Sequence, residues 1–249
     1  MTAFFGSITG ALGVMPGDCI ALIGGGGKTT VMSVIQRELH ERRRAVVATT
    51  TTKISRPDTG QLVLAESCDD LNAAIRDAWS TGGLVTAGQS LLGTEKVIGL
   101  APERLCTLKG TLPEAIIVCE ADGSKGRPLK VHAAHEPVVP ACTDLLVIIG
   151  GLRALGHPVS SEVIHRVDLF DCSSRGGDVT PELFADLLLL AAHVAPRIRR
   201  TVFLLNGLDA APASAAREVA ARLRATGSQV VVTKWGRPVD LNTPVSARG

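Results

Sequence analysis

Short unbroken apolar runs alternate along this chain with longer stretches whose apolar residues recur every three or four positions. The runs near residues 19–23, 45–48, 115–119, 145–149, 201–205 and 229–233 lack the in–out alternation of half-exposed strands. They predict strands buried on both faces, the habit of a parallel sheet. Between them, Val31, Val34, Ile35 and Leu39 repeat at helical spacing, as do Leu71, Ile75 and Trp79. Ser67 is read as the N-cap of the second of these helices. Leu183, Phe184, Leu187, Leu188 and Ala191 mark a third helix, capped by Thr180 and opened by Pro181. Shorter helices are expected within residues 4–18, from Pro102 through Leu105, and from Ser161 to Arg166. A last one spans Ala213–Thr226 and is closed by Gly227. Strand–helix alternation of this kind predicts an α/β fold, a mostly parallel sheet with flanking helices in three layers. Residues 1–249 are read as a single such domain. Short strands at 62–64 and 84–86 and an uneven, hairpin-like stretch from Gly88 to Leu100 make about 60–110 a candidate subsidiary lobe. The tail after Trp235 is expected to fray.

One junction breaks the pattern. Cys19–Ile23 runs directly into Gly24, Gly25, Gly26 and Gly27, then Lys28, Thr29 and Thr30 open the next helix. Strand, glycine loop and helix with Lys and Thr in its first turn form the phosphate-cradle pattern, which makes the predicted fold P-loop-like. Glycines allow backbone N–H groups to close on an anion, Lys28 supplies a point charge, and the Thr29 hydroxyl is placed for Mg²⁺. Leu22 stands where a full Walker A motif has its first glycine, so the loop is shortened to G-x-x-G-K-T-T. It resembles the deviant loops of ParA/MinD-type NTPases without their extra lysine, Ile23 occupying that position, and also the loop of Mur-type ligases. A glycine-rich turn without a ligand is the alternative.

Further candidates follow at strand ends. Thr49–Thr52 and Lys53 lie just past the second strand, where ligands bind in open α/β sheets, although a Thr run could equally prolong the strand. Thr51 and Lys53 are the candidates for nucleotide contact. The strand Ala115–Cys119 ends in Glu120, with Asp122 two residues on, the Walker B arrangement for holding Mg²⁺. Which of the two acids ligates stays open. Lys28, Glu120 and Asp122 are therefore the catalytic candidates, and Thr29, Glu120 and Asp122 the metal candidates. The polar loop of Arg127, Lys130, His132, His135 and Glu136 reads equally as a solvated connection. Its H-x-x-H-E order is not a zinc signature. Asn206-Gly207-Leu208-Asp209 resembles the N-K-x-D guanine-reading motif with glycine for lysine, so Asn206 and Asp209 are candidates for the base. A plain strand-to-helix turn is the alternative there.

Composition narrows the partners. With 45% hydrophobic and 20% charged residues and a net charge of +2, the chain has no polyanion-binding excess. Only 3% of residues are aromatic, which disfavours base stacking and hence nucleic acid. The arginine clusters at 42–44 and 197–200 are read as complements to helix dipoles. No apolar run is long enough to span a membrane, and Met1–Gly13 carries no secretory signal pattern. The six cysteines show no C-x-x-C spacing, which predicts reduced thiols and a cytoplasmic protein. Cys172, among polar residues, is the one expected to be exposed.

From about Gly17 to Trp235 the chain resembles the YqeC-type family of selenium-dependent hydroxylase accessory proteins. The resemblance rests on Gly24–Thr30, Thr49–Lys53, and Glu120–Lys125 with Pro128, Lys130 and Glu136-Pro137 behind it. Gly151–Gly156 and His165-Arg166 add to it. It implies a nucleotide-binding, NTPase-like protein using ATP or GTP with Mg²⁺ that assists maturation of selenium-dependent molybdenum hydroxylases. A molybdenum hydroxylase or its cofactor is then the implied partner. An ATP-dependent ligase or kinase acting on a small acidic substrate, or a nucleotide-gated scaffold without turnover, are the other readings.

Overall fold

A helix at Ile8–Leu12 (α1) leads into Cys19–Gly24 (β1), Lys28–Glu41 (α2) and Val46–Thr50 (β2) in the computed structural model, which describes residues 6–67, 70–170, 177–234 and 237–241. Lys53–Ser55 (β3), Gln61–Leu64 (β4), Leu71–Ser80 (α3) and Val85–Gly88 (β5) come next. Ser90–Leu92 (β6), Lys96–Ile98 (β7), Pro102–Thr111 (α4), Ile116–Glu120 (β8) and Leu129–Lys130 (β9) continue the chain. Leu145–Gly151 (β10), Ile164–His165 (β11) and Pro181–Val194 (α5) follow. Arg200–Asn206 (β12), Ala213–Arg224 (α6), Gln229–Lys234 (β13) and Arg237–Pro238 (β14) complete it.

Nine strands form one sheet in the order β14-β13-β12-β10-β1-β8-β2-β5-β4. Every pairing is parallel except β13 with β14. The fold class read from the apolar runs is the one observed, and β1 is central because both its faces are covered. Ile20 and Leu22 pack against Val31 and Ile35 of α2 and Ile8 and Leu12 of α1. Ala21 and Ile23 point the other way, onto Leu183, Phe184 and Leu187 of α5. On that second face Val47 and Ile117 meet Ile75 of α3 and Leu105 of α4. The period-two alternation thus sends successive residues of one apolar run into different helical layers.

The region 60–110 supplies β4 and β5 to the main sheet, while β6 and β7 pair with β3 in a separate three-stranded sheet. Asp70, not Ser67, caps α3, accepting from the N–H groups of Asn72 and Ala73. Ser161–Arg166 does not begin a helix. Ile164 and His165 pair with Leu129 and Lys130 in a parallel β9–β11 ribbon, which gives that backbone its hydrogen bonds. Arg200 stands in β12 rather than at a helix end and pairs with Asp18. Arg237 and Pro238 form an edge strand, and Leu241 is buried, so this part of the tail is held.

Cysteine usage also departs from expectation. Cys106 of α4 is disulfide-bonded to Cys142, 36 residues later, with Cα atoms 5.4 Å apart. Packing of α4 beside the segment before β10 creates that proximity, which no local spacing reveals. Cys19 and Cys119 are free and buried, and burial pushes the Cys19 thiol up to about 12, so neither is poised to react. Cys68 and Cys172 lie outside the described residues.

Candidate functional site

Register brings the two sequence motifs together. Leu22 of β1 lies opposite Glu120 of β8, which in turn lies opposite Thr50 of β2. The glycine loop and the acid pair therefore leave the sheet side by side at its carboxyl edge, where ligands collect in open α/β folds. Gly24 and Gly26 have φ of 96° and 82°. A Cβ on Gly24 would lie 2.3 Å from the Ile149 carbonyl oxygen, and one on Gly26 would lie 2.3 Å from Gly151. Only glycine fits this turn.

The glycine N–H groups do not all face outward. Gly24 N–H donates to Asp122 Oδ2, Gly25 N–H to Ile149 O and Gly26 N–H to Arg127 O. These bonds fix the loop's shape. The donors left for an anion are those of Gly27, Lys28, Thr29 and Thr30, at the cap and first turn of α2, which have no intrahelical partner. Gly27 begins this helix at φ 108° and offers no capping side chain. Positive dipole and open donors thus point to one place.

Lys28 is buried beneath that mouth. Its Nζ donates to Gly24 O at 2.6 Å and lies 3.0 Å from Asp122 Oδ1 and 3.9 Å from Glu120 Oε1. Asp122 is fully buried, and its Oδ2 also meets His132 Nε2 at 2.6 Å. Lys130 Nζ lies 3.6 Å from Asp122 and 2.9 Å from Glu136, and Arg166 pairs with Glu136 in turn. Burial opposes the Asp122 charge, but Lys28, the His132 hydrogen bond and Lys130 outweigh it and hold the carboxyl well below the usual range. Glu120 goes the other way. Burial raises its pKa more than Lys28 and the Thr29 hydroxyl lower it. Thr29 Oγ1 donates to Glu120 Oε2 at 2.8 Å, putting a hydroxyl and a carboxylate oxygen together at the open end of the site.

A model of the family described as YqeC protein matches residues 20–168, more than half of the chain. The chain belongs to the YqeC family. A relative in Escherichia coli (strain K12), "Uncharacterized protein YqeC", is 37% identical over 99 residues, spanning 39% of this chain and 38% of that protein. Two solved structures overlap more distantly. The hydrogenase maturation factor HypB from Archaeoglobus fulgidus gives a TM-score of 0.41 at 8% identity, covering 88% of this chain and 82% of its own. The signal recognition particle receptor FtsY from Elizabethkingia anophelis also gives 0.41, at 13% identity, covering 94% and 65%. At that distance the sheet order and the glycine loop of the YqeC chain itself define the fold.

The matched YqeC segment holds the loop, the acids and the Lys130–Glu136–Arg166 cluster, but not Asn206 or Asp209. Asn206 nevertheless reaches the loop, donating from Nδ2 to Gly26 O at 2.7 Å and accepting from Thr233 Oγ1 at 2.7 Å. Asp209 is exposed on a 3₁₀ turn two residues beyond Gly207. Thr49, Thr50 and Thr51 spend their hydroxyls on the carbonyls of Ala87, Glu120 and Val138. Lys53 is exposed in the small sheet and makes no ion pair with a described residue of the loop. His132, Lys130, Glu136 and Arg166 are the additions to the predicted set. For the first three the signal was the polar loop after Asp122, which reads equally as a solvated connection until tertiary packing buries it; Arg166 follows β11 and was marked only by the family resemblance. This YqeC arrangement supports nucleotide binding. Among the described residues no helix is long and apolar enough to cross a membrane.

Proposed function

We propose that this YqeC chain binds a nucleoside triphosphate with Mg²⁺ and acts as an NTPase-like accessory protein in the maturation of selenium-dependent molybdenum hydroxylases. The observation that carries the nucleotide reading is the uncapped first turn of α2 facing the Thr29–Glu120 pair. The maturation role and the hydroxylase partner follow from the family resemblance. A hydroxyl and one carboxylate suit Mg²⁺, which keeps several waters and takes phosphate oxygens for the rest of its shell. Bound there, Mg²⁺ would neutralise charge on the terminal phosphates. Asp122 does not fit the metal role, because its oxygens already face Lys28, His132 and the Gly24 N–H. Glu120 is the acid we assign to the metal, and Asp122 is the anchor of the loop. Lys28 can exchange Asp122 for a terminal phosphate while His132 and Lys130 continue to compensate the buried carboxylate. Catalysis in such a site is positioning and electrostatic stabilisation.

Calorimetry with ATP and GTP, with and without Mg²⁺, tests the reading on the parent chain and on Thr29→Val. Mg²⁺-dependent binding that weakens in the variant is expected. Absence of binding to both nucleotides refutes it. Phosphate release by the chain alone identifies an NTPase, and release only with an added small acid a ligase or kinase. Binding without release identifies a gated scaffold.

A further inference from the structure

A cavity of about 350 Å³ opens beside the glycine loop, between α2, the β3 segment and the edge of β5. Its α2 wall carries Thr29, Ser33 and Arg37, spaced by four residues, so they form one stripe along the helix. At 1.5 Å per residue, Arg37 stands about 12 Å along the axis from Thr29. Thr29 is the residue whose hydroxyl meets Glu120. The cavity therefore begins at the metal end of the proposed nucleotide site and extends away from it. The far wall carries Arg56 and Asp58 from the loop after β3. Ile54 and Met32, both buried, supply apolar lining between the polar ends.

The charge of this cavity is unbalanced. Two arginines, Arg37 and Arg56, line it against one acid, Asp58, all three exposed at its rim. Neither Arg37 nor Arg56 makes a side-chain hydrogen bond or ion pair with a described residue. An arginine fork without a partner at the rim of a concave site matches a carboxylate or phosphate group. The volume suits a molecule of a few carbons. We propose that the cavity is a second binding site, for a small organic oxyanion whose charged group docks on Arg37 and Arg56 and whose other end approaches Thr29. Its position next to the terminal phosphate rests on the nucleotide reading above, whereas the docking of the oxyanion does not.

The probes are malate for a carboxylate and glycerol 3-phosphate for a phosphate ester. Each is titrated by calorimetry into the full chain saturated with Mg²⁺ and a non-hydrolysable ATP or GTP analogue. At least one is expected to bind, with Kd raised about tenfold or more in Arg37→Gln and in Arg56→Gln through loss of a charge-assisted contact. The affinity for the nucleotide analogue should be unchanged in both variants. Binding of malate alone assigns a carboxylic acid, and of glycerol 3-phosphate alone a phosphate ester. The proposal is overturned if neither probe binds, or if both variants bind as the parent does. If the analogue itself does not bind, the nucleotide reading fails. The same titration without it still judges the cavity, since both arginines lie outside the glycine loop.

Discussion

Replacing Lys28 by alanine should destabilise the empty protein as well as weaken nucleotide binding. The Lys28 side chain is buried, 3% exposed, and its ammonium faces a carboxylate that is 0% exposed. Removing one partner of a buried ion pair costs about 3–5 kcal/mol, because the other charge stays behind uncompensated. Asp122 would keep the Gly24 N–H, His132 and Lys130 at 3.6 Å, which places Lys28→Ala at the low end, about 3 kcal/mol. With a urea m-value of about 3 kcal/mol/M for a chain of this size, the midpoint falls by roughly 1 M. Acid should narrow the gap. The folded Asp122 carboxyl titrates below its unfolded value, so its contribution is fully present above about pH 4 and lost as pH falls through the folded pKa. Without Lys28 that carboxyl can take a proton at higher pH, which relieves the penalty. Urea unfolding of the parent, Lys28→Ala, and Lys28→Ala with Asp122→Asn, from pH 7 down to pH 4, reads all of this. The double variant should recover most of the loss. A single variant within about 0.5 kcal/mol of the parent at pH 7 would refute the buried pair, being the ordinary range for surface changes. So would a penalty that Asp122→Asn leaves untouched.

The two acids should respond with opposite sign. The raised pKa of Glu120 means its contribution is full below its unfolded value and lost as pH rises through the folded one, so Glu120→Gln should be at least as stable as the parent at pH 7. Asp122→Asn should be less stable, while only the Glu120 variant loses the Mg²⁺ dependence of nucleotide affinity; equal behaviour in a magnesium titration contradicts the assignment. Asp209 is expected to give a modest preference for GTP, shifted toward XTP in Asp209→Asn, since an amide can donate to the xanthine O2. Competitive binding in which ATP does as well as GTP in the parent removes that role. The Cys106–Cys142 link closes a loop with a separation of 36 residues, worth roughly 4 kcal/mol in a chain-entropy account. Dithiothreitol should therefore lower the parent's urea midpoint and leave Cys106→Ser unmoved; a parent indifferent to reductant argues that the thiols are not joined.

Local pattern alone determined the six apolar strands of the main sheet, the central helices and the glycine loop. Cys19–Ile23 is too apolar to show either face to water, and the Gly24–Gly27 run tolerates backbone angles that other residues do not. Glu120 and Asp122 were legible as a pair because they end an apolar strand. What the two do was not legible. Tertiary packing inserted β8 between β1 and β2 and so set Glu120 beside the loop, pairing Leu22 with Glu120 across a long stretch of sequence that no local signal bridges. The same packing buried Lys28 and aimed it at Asp122. It also gathered Lys130, His132, Glu136 and Arg166 into one network from two segments joined by the β9–β11 ribbon. Short-range sterics and hydrophobic spacing are written residue by residue, and these the sequence declares. Burial, charge compensation and disulfide partners depend on which distant segments meet, and only the folded sheet decides that.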